Sequence, residues 1–363
     1  MKKTFLALLL SSTLVFSNTL LAEENSNKIS AKTTELSAEL PIVNAELTFA
    51  PNVPKPITRK TPARVVVNLT ALEKVDEIAT GVKTKFWTFN GGVPGPFIRV
   101  REGDQVEVHL SNSANARMPH ALDFHSSAAP EGGAQASLTN PGETTTFAFK
   151  ALTPGLYLYH CGADPVALHI GKGMYGLMLV EPKDGLSPVD KEFYIMQSEL
   201  YLSEGKNKQD IYIFDMNKAE YELPDYVVFN GKVNSMMGDN ALKTKTGEKI
   251  RLYLGNAGPN KISSFHVIGK NFDTVYVEGG SLQNHHVQTA LIPSGSALMA
   301  ELKIDVPGQY PFIDHSIFRA LKGAKGMFMV EGPENPEVFQ GKIKTEKYTE
   351  TNKDADVDTG YSH

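Results

Sequence analysis

The sequence predicts an all-β protein that consists of two similar sandwich domains. Between turn signals its segments are short, alternate between apolar and polar residues, and are rich in Val, Ile, Phe and Tyr, as in antiparallel strands with one buried face. A set of sequence segments also occurs twice in the same order. Helical signals are sparse, and the stretch from Pro165 to Ile170 predicts one short helical turn. A chain of 363 residues has room for two such domains.

The first 22 residues predict a cleaved secretory signal peptide. Lys2 and Lys3 precede an apolar run from Phe5 to Phe16, and Ala22 offers a small residue for cleavage. The run is about a dozen residues, shorter than the roughly 20 that span a bilayer. We therefore expect export to the periplasm, no membrane span and, because no cysteine lies near the cleavage point, no lipid anchor.

The net charge argues against a nucleic-acid partner. The chain carries 36 basic and 41 acidic side chains, a formal charge of −5. Removal of residues 1–22 deletes two lysines and no acidic residue, which leaves −7. Nucleic-acid binding calls for a basic patch. An acidic protein also offers no global attraction for an anionic substrate, so a local positive charge has to draw such a substrate in.

An internal repeat sets the predicted domain boundaries. Its four pairs of segments are Phe89-Asn90-Gly91 and Phe229-Asn230-Gly231, Gly103-Asp104 and Gly247-Glu248 with the strand after each, Pro154-Gly155 and Pro307-Gly308, and Lys172-Gly173-Met174 and Lys322-Gly323-Ala324. The repeat predicts domains at 60–185 and 190–335. Residues 23–59 are expected to form a flexible leader and N-terminal arm, and 336–363 a tail that is either mobile or packed on a neighbouring subunit.

One cysteine, Cys161, stands in a chain that is expected to be exported. A lone cysteine is an inert buried thiol, an intermolecular bridge or a ligand. A blue-copper centre takes two imidazoles, a thiolate and a weak axial thioether, and Cys161, His169 and Met174 follow one another as one loop would supply them. His120 arrives from an earlier strand. Buried Cys and Met are usually packing residues, but their order here favours a copper site in the first domain only, because Ala324 replaces Met174 in the second.

Strand parity predicts a second metal site. Adjacent residues of a strand point to opposite faces, so His160 points out of the domain if Cys161 points in. His120 and His125 also differ in parity if their strand is regular, and Asp123 shares the face of His125. An outer site with His125, His160 and a carboxylate follows, with Asp123 either a capping group or a proton carrier.

The outer site is short of protein ligands, because two imidazoles alone rarely hold a catalytic metal. The second domain offers His266 and His315 as candidates for a third ligand.

Several motifs of the chain resemble those of the copper-containing nitrite reductases, in particular the neisserial type with shortened loops. The motifs are Met118-Pro119-His120, Asp123-Phe124-His125, Tyr159-His160-Cys161, His169 with Gly173-Met174, Ser264 to Gly269, and Asp314 to Arg319. The resemblance covers residues from about 40 to 332. It implies two tandem Greek-key cupredoxin β-sandwich domains and one-electron reduction of nitrite to nitric oxide and water.

The same resemblance implies two coppers per subunit and a homotrimer. It assigns the metal ligands to two sets: His120, Cys161, His169 and Met174 for an electron-accepting type 1 copper, and His125, His160 and His315 for a catalytic type 2 copper. His315 would come from the next subunit. Asp123 and His266 would handle protons, and Ile268 would restrict how nitrite lies. A small cupredoxin or a c-type cytochrome would donate the electrons.

Two other classes of copper protein remain alternatives. A multicopper oxidase needs several His-x-His pairs, whereas none occurs here and Cys161 is followed by Gly162. A non-enzymatic blue-copper electron carrier needs one domain and leaves His125, His160 and His315 without a role. Copper content separates the three classes: about one per chain for the carrier, two for the reductase and four for the oxidase.

Overall fold

The computed structural model describes residues 40–347, most of which lie in strands or in the turns between them. The predicted signal peptide, the first part of the leader and the end of the tail lie outside the described residues. No helix in the described range is long and apolar enough to cross a membrane.

The described part of the first half of the chain forms nine strands: β1 Ile42–Asn44, β2 Arg64–Ala79, β3 Val82–Phe89, β4 Ile98–Arg101, β5 Gln105–Asn112, β6 Asp123–Phe124, β7 Thr144–Lys150, β8 Gly155–His160 and β9 Tyr175–Glu181. The second half continues with β10 Lys191–Leu200, β11 Leu202–Lys206, β12 Tyr212–Phe214, β13 Tyr226–Phe229, β14 Leu242–Lys245, β15 Lys249–Gly258, β16 Ser263–Val267, β17 Phe272–Tyr276, β18 Gln283–Val287, β19 Thr289–Ile292, β20 Ser296–Lys303, β21 Gly308–Asp314 and β22 Lys325–Glu331.

Helices are short and connect the strands. The α-helices are Ala134–Ser137, Val166–Gly171, Met216–Glu220 and Ile317–Leu321, and the 3-10 helices are Pro130–Gly133, Gly238–Asn240 and Val277–Gly279. The helix Val166–Gly171 confirms the predicted turn of helix between Pro165 and Ile170.

The strands form four sheets that pair into two sandwiches. The first sandwich has a sheet of order β11-β12-β3-β2-β5-β7, with β1 on β2, and a second sheet of order β4-β9-β8-β6. The second sandwich has the orders β13-β10-β15-β20-β17-β18 and β14-β22-β21-β16-β19. The hairpin β11–β12 follows the first strand of the second half, yet it extends the first sheet through the pair Tyr212 and Thr84.

The sequence repeat is a repeat of topology. Strand β2 runs parallel to β5 as β10 does to β15, and β4 runs parallel to β9 as β14 does to β22. The antiparallel pairs β8–β9 and β21–β22 also correspond. In both halves the Asn-Gly turn has positive φ, at Asn90 and Gly91 and at Asn230 and Gly231, a conformation that Asn and Gly adopt at little cost.

Each sandwich has its own apolar core, and a third apolar cluster joins them. The first core includes Cys161, Met174 and Trp87, so the predicted ligands lie at one end of a packed interior. The joining cluster draws on both halves, with the Phe97 ring against Tyr194 and Tyr253 at centroid distances of 5.3 and 5.1 Å. The two sandwiches therefore share buried apolar surface.

A buried ionic network also joins the halves. Glu192 on β10 accepts hydrogen bonds from Arg99 on β4 at 2.7 Å, from Arg251 on β15 at 3.2 Å and from Tyr253 at 2.7 Å. Burial alone would raise the pKa of Glu192, but the hydrogen bond and charge of Arg99 outweigh it and hold the pKa below its usual value.

Candidate metal centres

Three buried side chains of the first sandwich converge on one point; we call them the inner cluster. The Sγ atom of Cys161 lies 3.1 Å from Nδ1 of His169 and 3.8 Å from Nδ1 of His120, and the two Nδ1 atoms are 3.2 Å apart. Two donors that each lie about 2 Å from one metal stand about 3 Å from each other. The inner cluster therefore fits a single ion, and its thiolate and two imidazoles suit copper.

One loop supplies most of the inner cluster. Cys161 follows the end of β8, and its N–H donates to the carbonyl of Met174 at 3.0 Å. His169 lies on the helix Val166–Gly171, and its carbonyl accepts the N–H of Met174 at 3.2 Å. Met174 is fully buried in the same core as Cys161. These backbone bonds hold the predicted axial residue beside the other ligands of the loop.

Burial sets the protonation of the inner cluster. It lowers the pKa of His120 to about 4, with His169 as the next cause. It also lowers the pKa of His169 to about 4, which the charge of Lys172 reinforces and Asp164 opposes. Both imidazoles are therefore neutral and free to bind a metal at neutral pH.

The protonation state of the Cys161 thiol depends on whether a metal ion is bound. Burial raises the pKa of Cys161 to about 11, and the N–H of Ala121 lies 3.5 Å from its Sγ. A bound metal ion deprotonates a coordinating thiol. The site thus favours a neutral thiol when bare and a thiolate once a metal ion enters.

A second group, the outer cluster, lies on the other side of the same strand end. Nε2 of His125 is 3.2 Å from Nε2 of His160, and Oδ2 of Asp123 is 3.7 Å from that same His160 atom. Nδ1 of His160 donates to the carbonyl of Cys161 at 3.1 Å, which leaves Nε2 with its lone pair toward the cluster. Burial lowers the pKa of His125, His160 adds to that effect, and Asp123 opposes it.

Both predicted pairs of residues separate into different clusters, but strand alternation accounts for only one of them. His160 and Cys161 stand at the end of β8 and face different clusters, as the alternation of a strand requires. His120 and His125 also separate, but not through a regular strand. Strand β6 is only Asp123–Phe124, and His120 forms an isolated bridge with Thr139. The chain leaves strand geometry between the two histidines.

A glycine lies against the carboxylate of Asp123. Gly132 has a φ of +59°, and a Cβ atom built on it would lie 1.9 Å from Oδ1 of Asp123. Its neighbours Glu131 and Gly133 also have positive φ, at 51° and 101°. Gly132 is not among the predicted site residues, and the Gly132-Gly133 pair is the sequence signal that marks it.

The second sandwich places its predicted site residues together at the surface. The rings of His266 and His315 have centroids 5.2 Å apart, and Nδ1 of His266 donates to the carbonyl of Gln288 at 2.6 Å. Ile268 is 44% exposed, and His315 is exposed as well. Within the described range, the clusters of donor atoms do not unite His315 with His125 and His160 in one chain.

Known proteins resemble this chain in sequence and in fold. Two protein-family models, both described as multicopper oxidase, match residues 72–185 and 191–328. The copper-containing nitrite reductase of Neisseria meningitidis serogroup B is 54% identical over 313 residues, 86% of this chain and 80% of that protein. The copper nitrite reductase structure from Nitrosomonas europaea has a TM-score of 0.68 at 36% identity and covers 76% of this chain and 96% of its own. A multicopper oxidase structure has a TM-score of 0.65 at 29% identity, with 81% and 96% covered.

The two sandwiches and their donor clusters define a class of protein, the copper oxidoreductases built from cupredoxin domains. The predicted fold, two tandem Greek-key cupredoxin sandwiches, is confirmed by the structural matches. Identity of 54% over most of the chain is decisive within that class. The chain belongs to the family of copper-containing nitrite reductases, as its motifs predicted.

Proposed function

We propose that the protein reduces nitrite to nitric oxide and water. Each turnover takes up one electron and two protons and releases one nitric oxide and one water. His120, Cys161, His169 and Met174 would hold a type 1 copper, and the outer cluster would hold a type 2 copper. The observation that carries the proposal is the adjacency of His160 and Cys161, because neighbouring residues of one strand end serve the two donor clusters.

When bound, copper supplies a one-electron acceptor at the inner cluster and an electron and a positive charge for an anion at the outer cluster. The chain supplies the connection. Cys161 and His160 are covalently adjacent, and the hydrogen bond from His160 Nδ1 to the Cys161 carbonyl fixes the imidazole. Electrons thus have a route through a few bonds.

Proton supply falls to Asp123 and His266. The Asp123 side chain is 28% exposed, so its carboxylate reaches both solvent and an anion next to His160 Nε2. His266 uses Nδ1 on the carbonyl of Gln288, so Nε2 is the atom free to pass on a proton. Ile268, two residues after His266 in the chain, would be an apolar wall that limits the orientation of nitrite.

A homotrimer would complete the outer cluster with His315 of the next subunit. The surface around His315 supports this, because apolar residues near it are exposed to solvent in a monomer. Some follow His315 in the chain and others lie on or next to β16 and β19: Ile262, Ile268, Leu291, Ile317, Phe318 and Leu321, exposed by 44 to 77%. Exposed apolar patches of this kind mark interfaces.

The residues 1–22 support export to the periplasm, where a small cupredoxin or a c-type cytochrome would donate the electrons. The multicopper oxidase alternative rests on the structural match noted above. This chain lacks the His-x-His pairs that a trinuclear copper cluster needs.

The direct experiment is a turnover assay of the copper-loaded protein with a chemical one-electron donor. We expect nitrite to yield one nitric oxide per electron, with two coppers per chain and negligible oxygen consumption. Oxygen reduction to water with four coppers would favour the oxidase. The absence of both activities at full copper content would leave an electron carrier.

A further inference from the structure

A lysine stands one aromatic ring away from the inner cluster. Nζ of Lys172 lies 5.0 Å from the centre of the Trp87 ring. That ring meets His169 edge-on at a centroid distance of 4.7 Å and His120 at 5.6 Å. The ammonium, the indole and the two imidazoles therefore form one contiguous series of contacts, which we call the Trp87 stack.

Backbone contacts fix the stack in place. Nζ of Lys172 donates to the carbonyl of Lys85 at 3.2 Å, and the N–H of Trp87 donates to the carbonyl of Lys172 at 2.9 Å. Lys172 also ends the helix Val166–Gly171, with its N–H bonded to the carbonyl of Leu168. Trp87 is only 9% exposed. The ammonium group of Lys172 is thus held in a fixed position next to the Trp87 ring.

Two carboxylates act on the lysine or on the inner cluster: Asp164 acts on His169, and Glu73 acts on the lysine itself. Oε2 of Glu73 lies 2.9 Å from Nζ of Lys85. Because Lys85 takes up that carboxylate, the net local charge beside Trp87 is positive.

We propose that Lys172, acting through the Trp87 stack, raises the reduction potential of the copper in the inner cluster. This inference rests on the proposed type 1 copper. Oxidised copper carries one positive charge more than reduced copper, so a fixed cation nearby disfavours the oxidised form. At roughly 10 Å and an effective dielectric constant of about 20, partly screened by solvent, the charge shifts the equilibrium for electron uptake about three- to tenfold.

The duplicated domain provides a natural control. Lys322 stands at the position that corresponds to Lys172, and its ammonium donates to the carbonyl of Pro224. In both domains, therefore, a lysine directly after a short helix donates a hydrogen bond to a backbone carbonyl of another segment. The Trp87 ring between the lysine and a metal-binding imidazole belongs to the first domain alone, since the second has no inner cluster.

The test is a redox titration of the visible thiolate-to-copper band in the intact, copper-loaded protein. Lys172→Met and Lys172→Gln should each lower the midpoint potential, by an amount that corresponds to a three- to tenfold weaker tendency to take up an electron; tenfold equals about 59 mV for a one-electron couple. Lys172→Gln can still donate to the Lys85 carbonyl, which separates the lost charge from a lost hydrogen bond. Lys172→Arg should keep the potential, and Lys322→Met should leave it unchanged.

Each contrary result has a distinct meaning. An unchanged potential in both uncharged variants, with copper content and the visible band intact, overturns the inference and leaves the proposed function standing. An equal shift in Lys322→Met also overturns it, because the effect would then not depend on the Trp87 stack. Absence of the band from the unmutated copper-loaded protein overturns the type 1 assignment and the inference together.

Discussion

The proposed role of Asp123 as a proton carrier can be tested by a single substitution. Its carboxylate lies 3.7 Å from His160 Nε2 and is partly open to solvent. Asp123→Asn keeps the shape and loses the titratable proton, so we expect nitrite turnover to fall about a hundredfold or more, within the range of general acid-base catalysis. His266→Ala should have an effect of similar size, because it removes the second carrier.

Copper analysis is the necessary control for both variants, since a lost type 2 copper would slow turnover without any effect on protons. If copper-replete Asp123→Asn turns over near the wild-type rate across the acidic range, Asp123 is only a structural carboxylate.

Gly132 positions that carboxylate by its lack of a side chain. In Gly132→Ala the new Cβ would collide with Oδ1 of Asp123, so the carboxylate has to move. We expect turnover to fall by at least roughly tenfold, which is part of the roughly hundredfold or more that general acid-base catalysis contributes. Gly81→Ala is the matched control, because Gly81 also has a positive φ, at +72°, but open space around the new Cβ. It should cost about 1 kcal/mol of stability and leave turnover unchanged.

A double-mutant cycle isolates the contact. In an Asp123→Ala background the collision with the carboxylate is gone and the 2.9 Å contact with the backbone nitrogen of Phe124 remains, so adding Gly132→Ala should slow turnover little further. Full additivity of the two losses would show that Gly132 acts by another route.

The order of Cys161, His169 and Met174 predicted one metal site, because metal chemistry restricts the residue types, and the structure brings Cys161 and His169 together with His120 in the inner cluster. The ligand role of Met174 stays a prediction. Gly132 was out of reach, because its importance depends on a close approach to a residue nine positions away. The Trp87 stack was also out of reach, because β3 and the loop that holds His169 meet only in the folded chain.

At the scale of elements, Glu192 links β4, β10 and β15 across the two sandwiches. Glu192→Gln leaves Arg99 and Arg251 with less negative charge in a buried place, and we expect a loss of about 2–5 kcal/mol in the free energy of unfolding. Glu222→Gln is the control, because the Glu222 side chain is 55% exposed in its pair with Lys261, and this pair should be worth under about 1 kcal/mol.

The pH dependence of this effect has a definite sign. The folded pKa of Glu192 lies below its ordinary value of 4.5, so its stabilisation is fully present above that value and is lost as the pH falls through the lowered one. The difference in denaturation midpoint between the wild type and Glu192→Gln should therefore shrink in acid. A constant difference down to strongly acidic pH would contradict a role for the ionised carboxylate.

The repeat predicted the elements better than their connections. Paired Asn-Gly turns and alternating strands such as β5 were visible because alternation and turn chemistry are local. Strand β15 is instead buried on both faces. The hairpin β11–β12 was not visible, because its return to the first sheet depends on the pairing of Tyr212 with Thr84, 128 residues away. The irregular segment between His120 and His125 was not visible for the same reason, since residue spacing does not show where a strand ends.

At the scale of the whole molecule, the account requires that subunits share the outer cluster. His125→Ala and His315→Ala should each be inactive alone. In mixed trimers that contain both variants, some interfaces combine an intact His125 with an intact His315, and random 1:1 assembly should restore roughly a quarter of the sites. Light scattering should report a trimer for each protein.

A mixture of variants that stays inactive, although mixed trimers form, would show that each chain completes its own site. Activity of a stable monomer would exclude sharing altogether. The exposed tail residues Val338, Phe339 and Ile343 provide a further check, because a tail that packs on a neighbour would lose that exposure in the trimer.

The central claim is that electrons taken up at the inner cluster are used at the outer one, and Cys161→Ser tests it most directly. The measurement combines visible absorption, copper content and donor-driven nitric oxide production on one sample of the variant. We predict that the intense visible band disappears, that the outer cluster keeps its copper, and that turnover with a protein donor stops, because the thiolate is the ligand that creates the band and carries the electron. An intense band that persists in Cys161→Ser, or nitrite turnover near the wild-type rate, would contradict the account.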